Sequence, residues 1–340
     1  VTVTPPVLAR ARELVLPALR QAVAQLTPRL RLPTEYHFGW VEPDGTPIPP
    51  GTARTGKAVR PALAVLGAEA AGGDASVAVP GAVAMELIHN FSLIHDDIMD
   101  GDKTRHHRPT VWDVYGVSEA ILVGDAVHTL AFQVLESGTS SSPYAAAALR
   151  SVTAATAAMI TGQAQDADLD GRLDGTLAEC IEMERNKTGA LLAGSIGVGA
   201  VLAGAGPEVV GALEQYGFEL GLAFQAVDDV LGIWGDPDAT GKPVGNDLRE
   251  RKKSVPVMLA LESGGRLADA VRDAFATSPG PNAVAALSDV LADAGIRDRT
   301  IERAHTHLDA ALATIATQPI EPGAATELET LARFVVEREY

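Results

Sequence analysis

The densest chemistry in this 340-residue sequence lies between Met85 and Trp112, MELIHNFSLIHDDIMDGDKTRHHRPTVW. On a helix, Asp96 and Asp100 share one face with Asp97 beside them, and the stripe runs back through Ser92 or Leu93 to His89. Carboxylates gathered at the end of an otherwise apolar helix repel one another unless a cation sits among them. Hard oxygen ligands favour Mg²⁺, which commonly binds through one or two carboxylates plus a substrate's phosphates. A solvated acidic helix end would give the same short motif. The apolar run before it, and Lys103, Arg105 and Arg108 after it, favour the metal.

A second constellation, FQAVDDVLGIWGDPDATGKPVGNDLRERKKSVP from Phe224 to Pro256, places Asp228 and Asp229 late in a long helix with Gln225 one turn earlier. Gly232, Gly235 and Pro237 end that helix, and Asp236 falls in its end. The loop beyond carries Lys242, Asp247, Arg249, Arg251, Lys252 and Lys253. A basic cluster directly after an acidic pair suits anion capture: a divalent metal on the carboxylates and lysines alongside would clamp a diphosphate. Between the two constellations, Gln163 and Asp166 sit near one helix end, and Lys187 and Thr188 interrupt another helix just before an uncharged run. A lysine at the mouth of a buried helix is costly unless an anion neutralises it. Upstream, Gly56, Lys57, Arg60 and Pro61 place two cations about one turn apart.

The elements that position these residues are helical. Apolar residues make up 46% of the chain and aromatics only 4%, which suits long, closely packed helices better than β-branched, aromatic-rich sheets. The pattern predicts helices over Leu8–Leu26 (kinked at Pro17, closed by Pro28), Lys57–Ala71, Val77–Met99, Ser118–Leu135, Tyr144–Ala167, Leu177–Leu202, Glu208–Ile233 and Ser254–Glu262. Shorter helices follow from Leu267 to Glu339, broken at Pro279 and around Pro319 to Pro322. Arg31 to Arg54 reads as an ordered Pro/Gly-rich loop, with Tyr36, Phe38 and Trp40 covering a bundle end. Strand-like alternation is almost absent, so the expectation is one all-α domain over residues 1–340.

Composition also bounds the partners. A net charge of −17 repels nucleic acid, so a phosphate-bearing substrate must be received by a local basic patch or by bound metal. Cys180 is the only cysteine, which rules out an intramolecular disulfide and a cysteine zinc cluster and fits a reducing cytoplasm. Val1 to Leu19 has no signal-peptide core. Gly189 to Gly206 is uncharged, but its Ala/Gly content and sparse flanking cations fit a buried central helix rather than a membrane span.

Taken together, these residues resemble the trans-polyprenyl diphosphate synthase family from about Gly56 onward, residues 1–55 being an N-terminal helix and connection. HDDIMD looks like the family's first Asp-rich motif, and FQAVDD with the following GK and DLRERKKSVP like the second. GKAVRP resembles its homoallylic-diphosphate segment, and KTGALL its Lys-Thr site. The resemblance implies an isoprenoid synthase-type helical bundle around a deep central cavity, assembled as a homodimer. Asp96, Asp97 and Asp100 on one wall, with Asp228 and Asp229 on the other, would hold three Mg²⁺ around an allylic diphosphate. Arg105, Lys187, Thr188, Gln225, Lys242 and Lys252 would assist, and Lys57, Arg60 and His89 would hold isopentenyl diphosphate. Phe91 and Ser92, just before the first motif, would set chain length; the bulk of Phe91 and the lack of a two-residue insertion in that motif point to a geranylgeranyl product, with farnesyl next.

Two departures stand out. The last Asp of the second motif is replaced by Gly232, for which Asp236 is the expected compensation. The usual Arg-Arg-Gly after the first motif reads Arg105, His106, His107, with Arg108 as a possible stand-in for the second arginine. Three rivals are therefore kept: a class I terpene cyclase on the same scaffold, a non-catalytic subunit of a heteromeric synthase, and an HD-type phosphohydrolase built on His89, His95 and Asp96. His128, His305 and His307 are assigned no role, Cys180 is read as a small buried residue, and Trp112 and Trp234 as packing beside the two motifs.

Overall fold

Prolines open the helices of this chain more often than they break them. Helices α1 (Pro6–Val23), α2 (Pro28–His37), α4 (Val79–Met99) and α10 (Pro207–Trp234) each carry a proline in the first or second position. The missing N–H there has no acceptor to lose and the ring presets φ. The computed structural model describes residues 4–49, 58–170, 172–235, 244–277 and 279–337. The remaining helices are α3 (Val59–Ala70), α5 (Val111–Tyr115), α6 (Val117–Thr139), α7 (Ala145–Asp170), α8 (Leu177–Glu184) and α9 (Ala190–Leu202). They are followed by α11 (Asn246–Arg249), α12 (Val255–Ser263), α13 (Gly265–Phe275), α14 (Pro281–Asp293), α15 (Ile296–Ala316) and α16 (Pro322–Val336). Among the described residues, paired strands are confined to a hairpin of Thr104–Arg105 with Arg108–Pro109.

The all-α expectation therefore holds, with two local differences. The first part of the expected loop from Arg31 is helical, because Thr27 and Pro28 start α2 and its Thr34 and Tyr36 face the core. The single helix expected over Leu177–Leu202 is interrupted by a π-turn, Arg185–Gly189, which carries Lys187 and Thr188. Such single-turn bulges break the ordinary helical register and are frequent at functional sites.

Helix α9 is the axis of the molecule. All of its residues except Val201 are buried, and it packs against α3, α7 and α10. Small residues permit this. A Cβ on Gly199 would run into the backbone carbonyl of Ala64, and one on Gly67 into that of Ile196, so α3 and α9 touch main chain to main chain. The uncharged run is thus a core helix, as read from its composition. Ala75–Met99, the segment of α4 and its preceding turn, is the one described helix long and apolar enough to cross a membrane, and most of it is buried inside the bundle. Apolar clusters form around α4 and α6, around α3, α9, α10, α15 and α16, and beneath α8 and α12 to α14.

The α3–α9 contact leaves no room for even a methyl group. Gly199→Ala is expected to cost about 1–3 kcal/mol, the usual range for overpacking, read as a lower midpoint in urea unfolding. An unchanged midpoint would mean that the two helices can separate freely.

Candidate active site

The C-terminal halves of α4, α7 and α10 meet the π-turn at one end of the bundle. Each helix brings its partial negative end, roughly half an elementary charge, and adds carboxylates to it. Asp96 and Asp100 close α4, Asp166 lies near the end of α7, and Asp228 and Asp229 lie in the last two turns of α10. Gln163 Nε2 reaches the Met99 sulfur at 3.7 Å, tying α7 to the end of α4.

Lys187 answers this charge. Its Nζ donates to Asp166 Oδ2 at 2.6 Å. Burial works against its charge, but Asp96, Asp166 and Asp100 outweigh it and hold its pKa above the ordinary lysine value. The position depends on Gly162 of α7, where a Cβ would stand 2.6 Å from Lys187 Cα. Thr188, the next residue of the π-turn, donates to Gln225 Oε1 at 3.0 Å, so the same turn also grips α10. From the segment after α11, Lys252 pairs with Glu250 at 3.2 Å and acts on Asp100. Burial opposes its charge as well, but Asp247, Glu250 and Asp100 raise its pKa. The adjacent Lys253 is different: it is buried, donates to the carbonyls of Asp170 and Arg251, and lies over the Phe275 ring.

The two acidic pairs divide in the same manner. Asp97 is 1% exposed and accepts from Arg105 Nε at 2.7 Å, so these two predicted site residues are bound to each other. Asp229 is 3% exposed; its Oδ1 accepts from Gln225 Nε2 at 2.9 Å and its Oδ2 from the Val255 N–H at 2.8 Å. Glu184 of α8 is hydrogen-bonded to Asp229, and burial raises both carboxyls. Asp96, Asp100 and Asp228 remain partly open. Burial pushes Asp96 up to about 6 despite Lys187, with Asp100 adding to the shift. Burial also raises Asp100, against the pull of Lys187 and Lys252.

This all-oxygen donor set fits Mg²⁺. Among the described residues no three or more His, Cys, Asp or Glu side chains converge as a metal cage.

A second polar group lies beside the first. Burial lowers Arg60 to about 10 against the opposing pull of Glu86 and Asp228. Asn90 Nδ2 donates to the Glu86 carbonyl at 2.7 Å, and its Oδ1 accepts from His37 Nε2 at 3.0 Å. Burial, then Arg60 and Arg105, keep His89 well below the ordinary histidine value, so it enters as a neutral imidazole. Sequence reading missed Glu86, Asn90 and His37 because they serve the site by holding other residues. Lys57, Lys242 and Asp236 lie outside the described residues.

The hairpin after α4 turns through His106 (φ 51°) and His107 (φ 63°), the left-handed pair that a two-residue connection requires. Partial burial and Arg105 lower the His106 pKa, which argues against a cationic role at neutral pH. Arg108 does not replace it: its guanidinium donates to the Tyr36 and Val41 carbonyls and stacks over Tyr36. Trp112 Nε1 donates to the Asp102 carbonyl and Trp234 Nε1 to that of Ser288, so both pack beside the motifs as expected. His95 contacts the Ile121 carbonyl and lies against Gly124 of α6, away from its neighbour Asp96, which removes the basis of an HD-type site.

The fold and this arrangement of acids and lysines are those of a helical isoprenoid synthase. Residues 47–290 match the family model described as polyprenyl synthetase, and the chain belongs to that family. It is 45% identical, over 99% of this chain and 94% of the relative, to a (2E,6E)-farnesyl diphosphate synthase of Mycobacterium tuberculosis. A geranylgeranyl diphosphate synthase of the same organism is 44% identical over 75% of this chain and 72% of its own length. The crystal structure of a polyprenyl synthetase from Streptomyces coelicolor superposes with a TM-score of 0.92 at 46% identity, covering 98% of this chain and 100% of that one.

Burial lowers His37 to about 4, so the unfolded chain, with histidines near 6.5, takes up this proton first. Stability should therefore fall as pH drops from about 6.5 to about 4. His37→Gln, which can keep a bond to Asn90, should flatten that dependence in urea midpoints measured across this window. An equally steep slope in the variant would assign it to other groups.

Proposed function

We propose that this protein is a Mg²⁺-dependent trans-prenyltransferase that joins isopentenyl diphosphate to an allylic diphosphate and stops at the twenty-carbon geranylgeranyl product. The observation that carries the reading is two lysines from different segments at one acidic helix end: Lys187, 2.6 Å from Asp166 and acting on Asp96 and Asp100, and Lys252, acting on Asp100. In a chain of net charge −17, cations placed there await a polyanion rather than solvent.

In this reading Asp96, Asp100 and Asp228 hold the metal ions, three by family resemblance, while Asp97 and Asp229 fix the helix ends that carry them. When bound, the metal supplies positive charge that stabilises the departing pyrophosphate. Lys187 and Lys252 orient the allylic diphosphate, with Thr188 and Gln225 fixing the π-turn against α10. Arg105 holds Asp97 and closes that side of the site. Arg60 and neutral His89 receive isopentenyl diphosphate, with Lys57 assigned by motif and Lys242 likewise to the allylic side. The allylic carbon–oxygen bond breaks, the isopentenyl double bond attacks the resulting cation, and a proton leaves to the released pyrophosphate. The apolar wall of α4 and α6 keeps water from the cation.

Product length rests on Phe91. Its ring meets His128 of α6 at 4.7 Å and His95 at 5.7 Å, and His128 continues to Phe132 at 5.2 Å, an aromatic ladder that makes a firm floor. Ser92, whose hydroxyl donates to the His89 carbonyl, leaves space one turn before Asp96. Exposed Val117, Ile121 and Leu122 of α6 with Leu149 and Ile160 of α7 offer an apolar surface for the homodimer.

Radiolabelled isopentenyl diphosphate, Mg²⁺ and dimethylallyl, geranyl or farnesyl diphosphate in turn should yield labelled geranylgeraniol after phosphatase treatment. Labelled farnesol as the end product would move the stop to fifteen carbons. A hydrocarbon from geranylgeranyl diphosphate without label uptake would replace elongation by cyclisation, and no turnover would indicate a non-catalytic subunit. Phe91→Ala should lengthen the product while the first condensation keeps its rate. An unchanged product would return Phe91 to plain core packing.

A further inference from the structure

Lys187 is one of the five residues of the π-turn, and three of the others each hold a neighbouring helix. The Ala190 N–H donates to the Arg185 carbonyl, one residue further back than in an α-helix. A form that rare needs support from outside the helix. The Arg185 guanidinium lies over the Phe218 ring of α10, 4.2 Å from its centroid. Asn186 Nδ2 donates to Gln165 Oε1 of α7 at 3.0 Å and to Glu182 Oε1 of α8 at 3.3 Å. Thr188 holds Gln225 of α10, and Lys187 is the member that pairs with the aspartates.

The bridges to α7 come as a matched pair. Asn186 and Lys187 are consecutive in the π-turn, and their partners Gln165 and Asp166 are consecutive in α7. Gly162, one turn earlier in α7, lets the two backbones meet: a Cβ there would stand 2.7 Å from the Asn186 carbonyl carbon and 2.6 Å from Lys187 Cα. The two bridges differ in kind. Lys187 with Asp166 joins opposite charges, and the ammonium has three donors to share. A diphosphate arriving beside it competes with Asp166 for those donors and weakens this bridge. Asn186 with Gln165 joins neutral amides, so its strength does not follow the charge around Lys187. The function proposed above gives neither amide a role.

We propose that Asn186 and Gln165 are positioning residues for Lys187: their amide bridge keeps the π-turn seated on α7 while the Lys187 ammonium passes from Asp166 to the diphosphate. The side chain of Lys187 then moves on a backbone that stays in place. Without the bridge, the substrate would draw the turn away from α7 together with the ammonium, and part of the binding free energy would be lost to that displacement.

The inference rests on the allylic diphosphate site proposed above, and calorimetry of Mg²⁺-dependent pyrophosphate binding tests the two separately. Wild-type protein that binds no pyrophosphate would overturn the site itself, and the positioning role with it. Gln165→Met, which keeps the length of the side chain and removes the bond, should weaken this binding about 3- to 10-fold, the scale of one net hydrogen bond. In turnover, KM for the allylic diphosphate should rise by the same factor while KM for isopentenyl diphosphate keeps its wild-type value. Exchanging the partners, Gln165→Asn with Asn186→Gln, rebuilds the bridge and should restore both the affinity and the allylic KM. A double-mutant cycle reads the link to Lys187: in a Lys187→Met background, Gln165→Met should cost nothing further. Wild-type affinity and wild-type KM values in Gln165→Met would overturn the inference and leave the site standing. So would an undiminished loss in the Lys187→Met background, or equal rises in both KM values with a lowered melting temperature, since the amides would then serve only the fold.

Discussion

Repulsion among like charges at one end of a helical bundle is the constraint around which this molecule is built. Three helices deliver their negative ends and five aspartates, Asp96, Asp100, Asp166, Asp228 and Asp229, to one region. Burial adds to the strain: it holds Asp96 up at about 6 despite Lys187, with Asp100 pushing the same way. A site in this state has free energy to gain by taking up divalent cations. Once it has them, it has free energy to gain by taking up a diphosphate. In the function proposed, metal and substrate would bind as one unit, because each makes the other's charge acceptable.

The cations on the protein side must be fixed at the right distance, and backbone packing does this. Gly162 lets α7 approach the π-turn closely enough for Lys187 to reach Asp166, while Thr188 from the same turn holds Gln225. An uninterrupted α-helix from Leu177 to Leu202 would keep regular spacing through these residues. The inserted turn changes the register between α8 and α9, so that α9 can present its small residues to α3 and α7 while Lys187 faces the acids. The uncharged, buried α9 then fixes the whole arrangement to the centre of the core.

Much of this was legible in the sequence because both motifs are local. Helical periodicity placed Asp96 with Asp100 and exposed the uncharged run that became α9. What escaped was carried by contacts between distant segments. Nothing near His37 or Glu86 in the sequence shows that they meet through Asn90, and composition around Arg185–Gly189 does not distinguish a π-turn from an α-helix. Arg108 looked equivalent to Arg105 as a cation, yet it faces the α2 end and is spent on the Tyr36 and Val41 carbonyls. Nor does the sequence show that the Asp247 carboxylate packs beside Gly232, which follows from a hydrogen bond from Gly245 that folds α11 back onto α10.

The paired aspartates themselves follow from helix geometry. Successive residues on an α-helix point about 100° apart, so two adjacent carboxylates cannot both face one ligand. At each motif one member turns to the site and the other into the flank, where the protein must satisfy it. Arg105 does so for Asp97, bringing the hairpin with it; Gln225 and the Val255 N–H do so for Asp229. The inward aspartate is therefore a fastening between the acidic helix end and the loop that follows it. Through Arg105 it fixes the hairpin after α4. Through Val255 it fixes the start of α12, and with it the segment that bears Lys252. The acid–acid pair thus couples each cluster of metal-facing oxygens to the cations that must stand opposite, and a change at the buried member would be felt first as misplacement of those cations.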